Sequence, residues 1–170
     1  MSKSENGWPV LESQSDRSLT VIRIPGTGIP GIPLRVQKDV APLLAYVASR
    51  VHAEITDLRK GNKPGVIQDE GGYNFRKIDG SSRHSNHSSG TAIDLNWNLF
   101  PMFKRRMNKK QRAAALAIEE ELKEVIRWGG SYSPSRVDEM HWEIRPGVSA
   151  AAVKKFIKNY GIQKDGTRKV

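Results

Sequence analysis

The chain contains no cysteine among its 170 residues, and this absence constrains the fold more than any other feature of the sequence. Disulfides, thiolate zinc sites, iron–sulfur clusters and cysteine nucleophiles are all excluded. The fold must therefore rest on a hydrophobic core. A chain of this length buries about 68–70% of its unfolded surface, which is enough without cross-links. The length predicts one domain.

Strand-like and helix-like patterns are mixed along the chain. Residues 19–24, 91–97 and 140–145 have the β-branched or alternating composition of strands. Apolar residues at three- and four-residue steps predict a helix capped by Asp39 whose apolar stripe spans 36–58, and a second helix over 109–128. Ser149 is expected to cap a third helix that ends at Gly161. Because the elements do not alternate as βαβ units, they favour an α+β fold.

The ends of the chain differ in composition from its middle. Residues 1–18 are polar and serine-rich, and we expect a weakly ordered lead-in there. Residues 19–161 form the single folded domain of the prediction. Residues 162–170 form a basic tail. A further short strand is predicted over 66–69.

The formal net charge of +10 predicts a polyanionic partner, which could be nucleic acid, anionic lipid or an acidic cell-wall polymer. No nucleic-acid-reading motif accompanies the charge, so we do not expect a nucleic-acid-binding protein. No apolar run reaches the ~18–20 residues of a transmembrane helix. The first residues contain no apolar signal segment, so we expect synthesis in the cytoplasm without a signal peptide. No apolar stripe is left unpaired, and a monomer is expected.

One motif suggests metal chemistry. His87 lies in the string Ser85-Asn86-His87-Ser88-Ser89-Gly90-Thr91-Ala92-Ile93-Asp94, which leads from a glycine- and serine-rich loop into a strand. A loop histidine and a strand carboxylate seven residues later can converge on one point. Imidazole nitrogen and carboxylate oxygen both bind zinc at ~2.0–2.2 Å.

A catalytic zinc site takes three protein ligands, and His141 is the candidate for the third. Asp138, three residues earlier, is placed to act as a general base without binding the metal. Glu143 is predicted to hydrogen-bond a ligand histidine, and Ser85 to support the ligand loop. His84 is an alternative ligand, and His52 is expected to be solvated. On residue chemistry alone, Asp94 could also be a turn cap and His141 a core histidine.

The spacing of these motifs resembles one family of enzymes. The string S-x-H-x-x-G-x-A-x-D, followed far downstream by D-x-x-H-W-E, is similar to the zinc D-alanyl-D-alanine carboxypeptidases and L-alanyl-D-glutamate endopeptidases, which share a Hedgehog/DD-peptidase fold. The phage endolysin branch is the most similar. Two further elements match it, namely Tyr73-Asn74-Phe75-Arg76-Lys77-Ile78 and Trp128-Gly129-Gly130.

The resemblance implies roles residue by residue. His87, Asp94 and His141 match the zinc ligands, so one zinc ion per chain is expected. Asp138 matches the catalytic acidic residue, a position at which some members have glutamate. Arg76 matches an arginine thought to polarise the substrate carbonyl or to hold a carboxylate. Arg83 is an alternative for that role. The implied fold is a small antiparallel sheet that carries the zinc site, flanked by about three helices.

The implied activity is hydrolysis of an amide bond in the stem peptide of bacterial peptidoglycan, with L-alanyl-D-glutamate endopeptidase expected first. A D-alanyl-D-alanine carboxypeptidase and a non-catalytic wall-binding protein are the alternatives. A phage enzyme without a signal peptide would reach the wall after release from the host cell or as part of a virion. A basic cluster is the candidate site for anionic wall polymers. Its members are Lys104, Arg105, Arg106, Lys109, Lys110 and Arg112.

Overall fold

The computed structural model describes residues 1–60 and 68–170. In chain order its main elements are β1 (Leu19–Arg23), β2 (Pro33–Gln37), α1 (Ala41–Glu54), β3 (Glu70–Gly71), β4 (Ala92–Leu95), α2 (Lys109–Glu121), β5 (Ile126–Trp128), β6 (His141–Ile144) and α3 (Ala150–Tyr160). Short 3₁₀ helices cover Asn86–Ser89, Gly129–Ser131 and Pro134–Arg136. The strand predicted over 66–69 begins outside the described residues, and β3 follows it. The predicted α+β class, with three helices and small antiparallel sheets, is confirmed.

A four-stranded antiparallel sheet forms the centre of the molecule, in the order β3-β4-β6-β5. The register between β4 and β6 pairs Ala92 with Glu143, Ile93 with Trp142 and Asp94 with His141. Because side chains alternate between the two faces of a strand, residues directly opposite each other point to the same side. This register therefore joins two motifs that lie 47 residues apart in the sequence.

The remaining strands, β1 and β2, form a separate antiparallel hairpin. Its second strand differs from the prediction, because Val36 was expected to begin the apolar stripe of the first helix. Instead Leu34 and Val36 alternate with exposed Arg35 on β2. Helix α1 begins at Ala41, and its cap residue Val40 makes no side-chain capping bond. The prediction that Asp39 caps this helix is therefore wrong; its carboxylate pairs with Lys154 of α3 at 3.0 Å.

Helices α2 and α3 begin where the sequence predicts. Asn108 and Gln111 form a reciprocal capping box at the start of α2. The helix ends at Glu121 rather than at residue 128, because the chain turns and returns as β5. Ser149 caps α3 through the Ala152 N–H, and Gly161 ends that helix in a left-handed conformation at φ +78°.

The hydrophobic core lies between the helices and the central sheet. Helix α1 contributes a nearly continuous buried surface that includes Leu43, Leu44 and Val47. On the sheet, Trp128 and Trp142 are completely buried and stack with ring centroids 5.7 Å apart. This close packing fixes β5 and β6, which support the segment 129–140 between them. None of the described helices is long and apolar enough to cross a bilayer.

The first residues of the chain differ from the prediction. Within the expected lead-in, Ser4, Asn6 and Trp8 are buried. The Asn6 side-chain amide donates to the Thr91 hydroxyl at 2.8 Å and to the Ile144 carbonyl at 3.0 Å. The reason is that these polar side chains find partners on the sheet, which composition alone does not show.

The basic tail also packs against the domain. Ile162 is buried, and Lys169 N–H donates to the Gly161 carbonyl at 2.9 Å. Gly166 lies so close to α1 that a Cβ atom there would be 2.6 Å from the Cβ of Ala45. Residues 161–169 therefore form a turn that folds back onto the helices.

Candidate metal centre

The sheet register and one short helix bring three predicted residues to a single point. Asp94 of β4 and His141 of β6 approach to 3.0 Å between Oδ1 and Nδ1. His87, from the 3₁₀ helix, lies 3.2 Å from both of them, measured from its Nε2 atom to Asp94 Oδ2 and to His141 Nδ1. One ligand atom from each residue lies within 4.8 Å of the others. The three form a group that could hold a metal ion.

The short helix that carries His87 is fixed at both ends. Ser85 caps it, since its hydroxyl accepts the His87 N–H at 3.2 Å. Gly90 ends it in the left-handed region at φ +69°, and a Cβ there would come within 2.7 Å of the Gln37 nitrogen. The glycine and the serine of the sequence motif therefore determine where the histidine ring lies.

Two acceptors determine which ring nitrogens carry protons. The Gly72 carbonyl lies 2.7 Å from His87 Nδ1, and since a carbonyl only accepts, Nδ1 is the donor. A Glu143 carboxylate oxygen likewise lies 3.0 Å from His141 Nε2. The neutral rings therefore direct unprotonated Nε2 of His87 and unprotonated Nδ1 of His141 towards Asp94. Such hydrogen bonds at the opposite nitrogen are what metal-binding histidines use to fix their tautomer.

The arrangement of donors favours a cation. Two imidazole lone pairs and one carboxylate face each other at about 3 Å, and this is repulsive unless a proton or a metal ion lies among them. Burial opposes charge on His141, yet its hydrogen bonds to Asp94 and Glu143 raise its pKa well above the usual value. Burial likewise opposes the charged form of Asp94, but the two histidines lower its pKa. Two imidazoles and one carboxylate suit zinc, so the donor set fits the predicted metal.

Glu143 has a central place behind the group. Besides His141, its carboxylate accepts hydrogen bonds from the Asn86 amide, the Tyr132 hydroxyl and Arg127 Nε, the last at 2.6 Å. These contacts lower its pKa although burial opposes ionisation. The structure therefore places Glu143 as a charged hydrogen-bond acceptor for His141. Sequence reasoning missed Tyr132 and Arg127, whose signal was their position on either side of the Trp128-Gly129-Gly130 element.

Asp138 lies beside the group but is not part of it. Its side chain is only 8% exposed, and its Oδ1 atom has no hydrogen-bond partner among the described residues. Burial raises the pKa of Asp138 to about 6. Gly129 lies against it, since a Cβ on this glycine would be 2.4 Å from the Asp138 carbonyl oxygen. A buried carboxyl with a raised pKa and an oxygen that has no partner among the described residues has the properties of a general base.

Two clefts meet at the group. The Asp138 cleft, with a volume of about 360 Å³, is lined by Asp138 and His141 among others. The His87 cleft, of about 220 Å³, is lined by His87 and Asp94. Arg76 lines both clefts, and its backbone N–H and carbonyl both bond the Ser88 hydroxyl on the 3₁₀ helix. Its positive charge also acts on Asp138, where it opposes the rise in the pKa of that carboxyl.

The remaining predicted candidates lie elsewhere. The ring of His84 packs against Phe75 with centroids 5.5 Å apart and does not join the group. Arg83 is exposed and lines neither cleft. His52, expected to be solvated, is partly buried, and its Nδ1 accepts the Leu58 N–H at 3.1 Å. This histidine therefore closes the turn after α1.

The fold and the site together define a class. An α+β domain with a buried His–Asp–His group, a neighbouring carboxyl of raised pKa and an arginine at the same clefts is the framework of a metallopeptidase. Comparison with protein families agrees, since the model of the D-alanyl-D-alanine carboxypeptidase family matches residues 79–144. Over this segment the chain is similar to that peptidase family, as its motifs predict.

The matched segment includes His87, Asp94, Asp138, His141 and Glu143, whereas Arg76 lies just before it. Comparisons with curated proteins and with solved structures give no match. The family match thus supports a peptidase.

Proposed function

We propose that the protein is a zinc peptidase that hydrolyses the L-alanyl–D-glutamate bond in the stem peptide of peptidoglycan. The observation that carries the proposal is the His87–Asp94–His141 group, with Asp138 beside it, inside the segment that matches the peptidase family. The three residues of the group would hold one zinc ion per chain. A zinc ion bound there would act as a Lewis acid and lower the pKa of water.

Three residues of the chain have the remaining roles in hydrolysis. Asp138, whose pKa is near 6, accepts a proton from the attacking water and returns it to the leaving amine. Arg76 stabilises the negative charge that develops on the carbonyl oxygen. Glu143 keeps His141 in the tautomer that directs Nδ1 towards the group.

Endopeptidase activity is favoured over carboxypeptidase activity by the two clefts. Substrate can extend from the group into either one, whereas a carboxypeptidase closes one side and reads a terminal carboxylate there. The clefts therefore suit an internal bond, with chain on both sides of it. In keeping with the motifs, we propose a phage endolysin or virion-associated enzyme that acts as a monomer.

Hydrolysis of purified peptidoglycan with metal control tests this function. Cell walls are incubated with the protein alone, with a chelator, and with the chelator followed by excess Zn²⁺, and the new termini are identified by mass spectrometry. We expect new amino-terminal D-glutamate or D-isoglutamine, lost with the chelator and restored by zinc. Release of free D-alanine would assign the carboxypeptidase activity instead. Zinc binding without any cleavage would assign the non-catalytic, wall-binding alternative.

The basic cluster supports a second part of the proposal, attraction to anionic wall polymers. Five of its six residues are exposed, and Arg112 is partly buried. Within the described parts of the chain none of the six forms an ion pair. Lys109 and Lys110 occupy the first turn of α2, where the helix dipole disfavours positive charge. The positions of these cations are thus poor for stability and suited to binding a polyanion.

Replacing all six cluster residues with glutamine should weaken sedimentation with cell walls and make it less sensitive to salt, because exposed charges act through screened electrostatics. The measurement is the fraction of protein that pellets with walls from low to high salt. A control of equal charge change replaces six exposed cations elsewhere, namely Arg17, Lys38, Lys155, Lys158, Lys164 and Lys169. Equal loss in both variants would show that net charge alone attracts the protein.

A further inference from the structure

The connection between β4 and α2, residues 96–108, exposes an unusual amount of apolar surface. Trp97 is 36% exposed, Leu99 37% and Phe103 60%. Trp97 lines the His87 cleft, and Phe103 lines the Asp138 cleft. One connection therefore places an aromatic side chain in each of the two clefts that meet at the metal-binding group.

The backbone of this connection is held in uncommon conformations at two points. Asn96, directly before Trp97, has φ +54°, and Phe103 has φ +65°. Asparagine tolerates the left-handed region, whereas a bulky residue such as phenylalanine rarely adopts it. Strain of this kind persists where the surroundings impose it, and it is concentrated at functional sites.

Hydrogen bonds to the neighbouring elements impose this conformation. Trp97 N–H donates to the Asp69 carbonyl at 3.1 Å, and Phe103 N–H donates to the Val137 carbonyl at 2.8 Å. Further along, the Glu139 carboxylate accepts the backbone N–H groups of Arg106 and Met107. The connection is therefore fixed to the segment that carries Asp138, and its aromatic side chains are presented in a set position.

The chemistry of the two clefts differs. In the His87 cleft, Trp97 lies with Tyr73 and Asn74, so an aromatic face is combined with an amide and with a hydroxyl that already donates to the Leu11 carbonyl and can only accept. An indole face packs on the C–H face of a pyranose ring, and the polar groups suit its hydroxyl and acetamido substituents. In the Asp138 cleft, Phe103 and Met102 lie among polar and charged residues that include Arg76 and Arg136, which suits a peptide with both apolar and acidic groups.

We propose that this connection is the substrate-recognition element of the site, with Trp97 binding the amino sugar that carries the stem peptide and Phe103 contacting the peptide on the other side. The inference rests on the proposed function, because the bond assigned above lies one residue from that sugar. It adds that the enzyme recognises the glycan as well as the peptide. The preferred substrate is thus a peptide still attached to its sugar.

Binding tests this inference separately from hydrolysis. The Asp138→Asn variant with zinc is titrated calorimetrically with two ligands, the free stem peptide and the same peptide attached to its disaccharide. We expect the disaccharide to strengthen binding about five- to tenfold, the range for one aromatic stacking contact. Adding Trp97→Ala should abolish this preference and leave the affinity for free peptide unchanged. Trp97→Phe should retain most of it.

Leu99→Ala is the matched control, since Leu99 is an exposed apolar residue of the same connection that lines neither cleft. It should keep the full preference. Three results would overturn the inference. They are equal affinity for both ligands, no binding of either ligand, and an equal loss of affinity for both ligands in Trp97→Ala. If the wild-type protein cleaves neither substrate while the preference persists, the proposed function fails and the sugar site stands.

Phe103→Gly tests the other half of the element. Glycine adopts positive φ without strain, so the melting temperature should not fall. When Phe103→Gly is made in the otherwise wild-type protein, the KM should rise several-fold for both substrates and kcat should change little. This is expected when an interaction common to the ground state and the transition state is lost. A lower melting temperature with unchanged KM would show that Phe103 has only a structural role.

Discussion

The Asp94→Asn variant is expected to lose zinc binding and peptidoglycan hydrolysis together. The substitution keeps the shape of the side chain but removes the only carboxylate of the His87–Asp94–His141 group. We expect the zinc dissociation constant to rise by more than the roughly 10–100-fold that loss of an outer hydrogen-bond partner costs. Zinc content after equilibrium dialysis measures this directly.

A thermal measurement provides a readout that is independent of activity. Zinc at a hundred times its dissociation constant should stabilise the wild-type protein by about 2.7 kcal/mol. The same concentration should leave the melting temperature of Asp94→Asn almost unchanged. His84→Ala is the matched control, because this histidine lies in the same loop but outside the group. Retained zinc in Asp94→Asn, or zinc lost in His84→Ala, would show that the metal lies elsewhere.

Asp138→Asn should have the second-largest effect. Unlike Asp94→Asn, it should lose hydrolysis and keep zinc. Its zinc content should equal that of the wild type, because Asp138 is not part of the metal-binding group. Its kcat should fall by about 10²–10⁴, the contribution of a positioned general acid–base. Steady-state hydrolysis of a soluble muropeptide, with zinc measured on the same sample, distinguishes this variant from Asp94→Asn.

Asp138→Glu provides the matched comparison. A carboxyl is kept and only its reach changes, so activity should lie between those of the wild type and the asparagine variant. If Asp138→Glu and Asp138→Asn hydrolyse the substrate at equally low rates, the position of the carboxyl matters as much as its presence. A fully active Asp138→Asn would remove this residue from the mechanism.

The His87–Asp94–His141 group could be predicted because its residues are rare, stand at fixed spacing and resemble the motifs of a known family. The chain has four histidines, and one of them shares a ten-residue string with a cap, a left-handed glycine and a strand carboxylate. The partners of Glu143 could not be predicted in this way. Arg127 and Tyr132 reach it through the packing of β5 against β6 and through the turn after it, and neither leaves a periodic signal in the sequence.

The errors in the fold arose where one residue fitted two patterns. Val36 is four residues before Val40, which suits a helix, and two residues after Leu34, which suits the strand that forms. Ile126 likewise continues the apolar stripe of α2 although it begins β5. Tertiary packing decided both cases, because as strand residues Val36 and Ile126 are completely buried in the core.

The buried segment that contains Asn6 and Trp8 has a consequence for how the domain folds. Asn6 bonds the Ile144 carbonyl, and the indole N–H of Trp8 donates to the Val148 carbonyl at 2.9 Å. These partners are about 140 residues apart in the sequence, so residues 4–8 can pack only after the chain up to Val148 is in place. The domain is therefore complete only when two segments far apart in the sequence have met, and contacts of such long separation are slow to form.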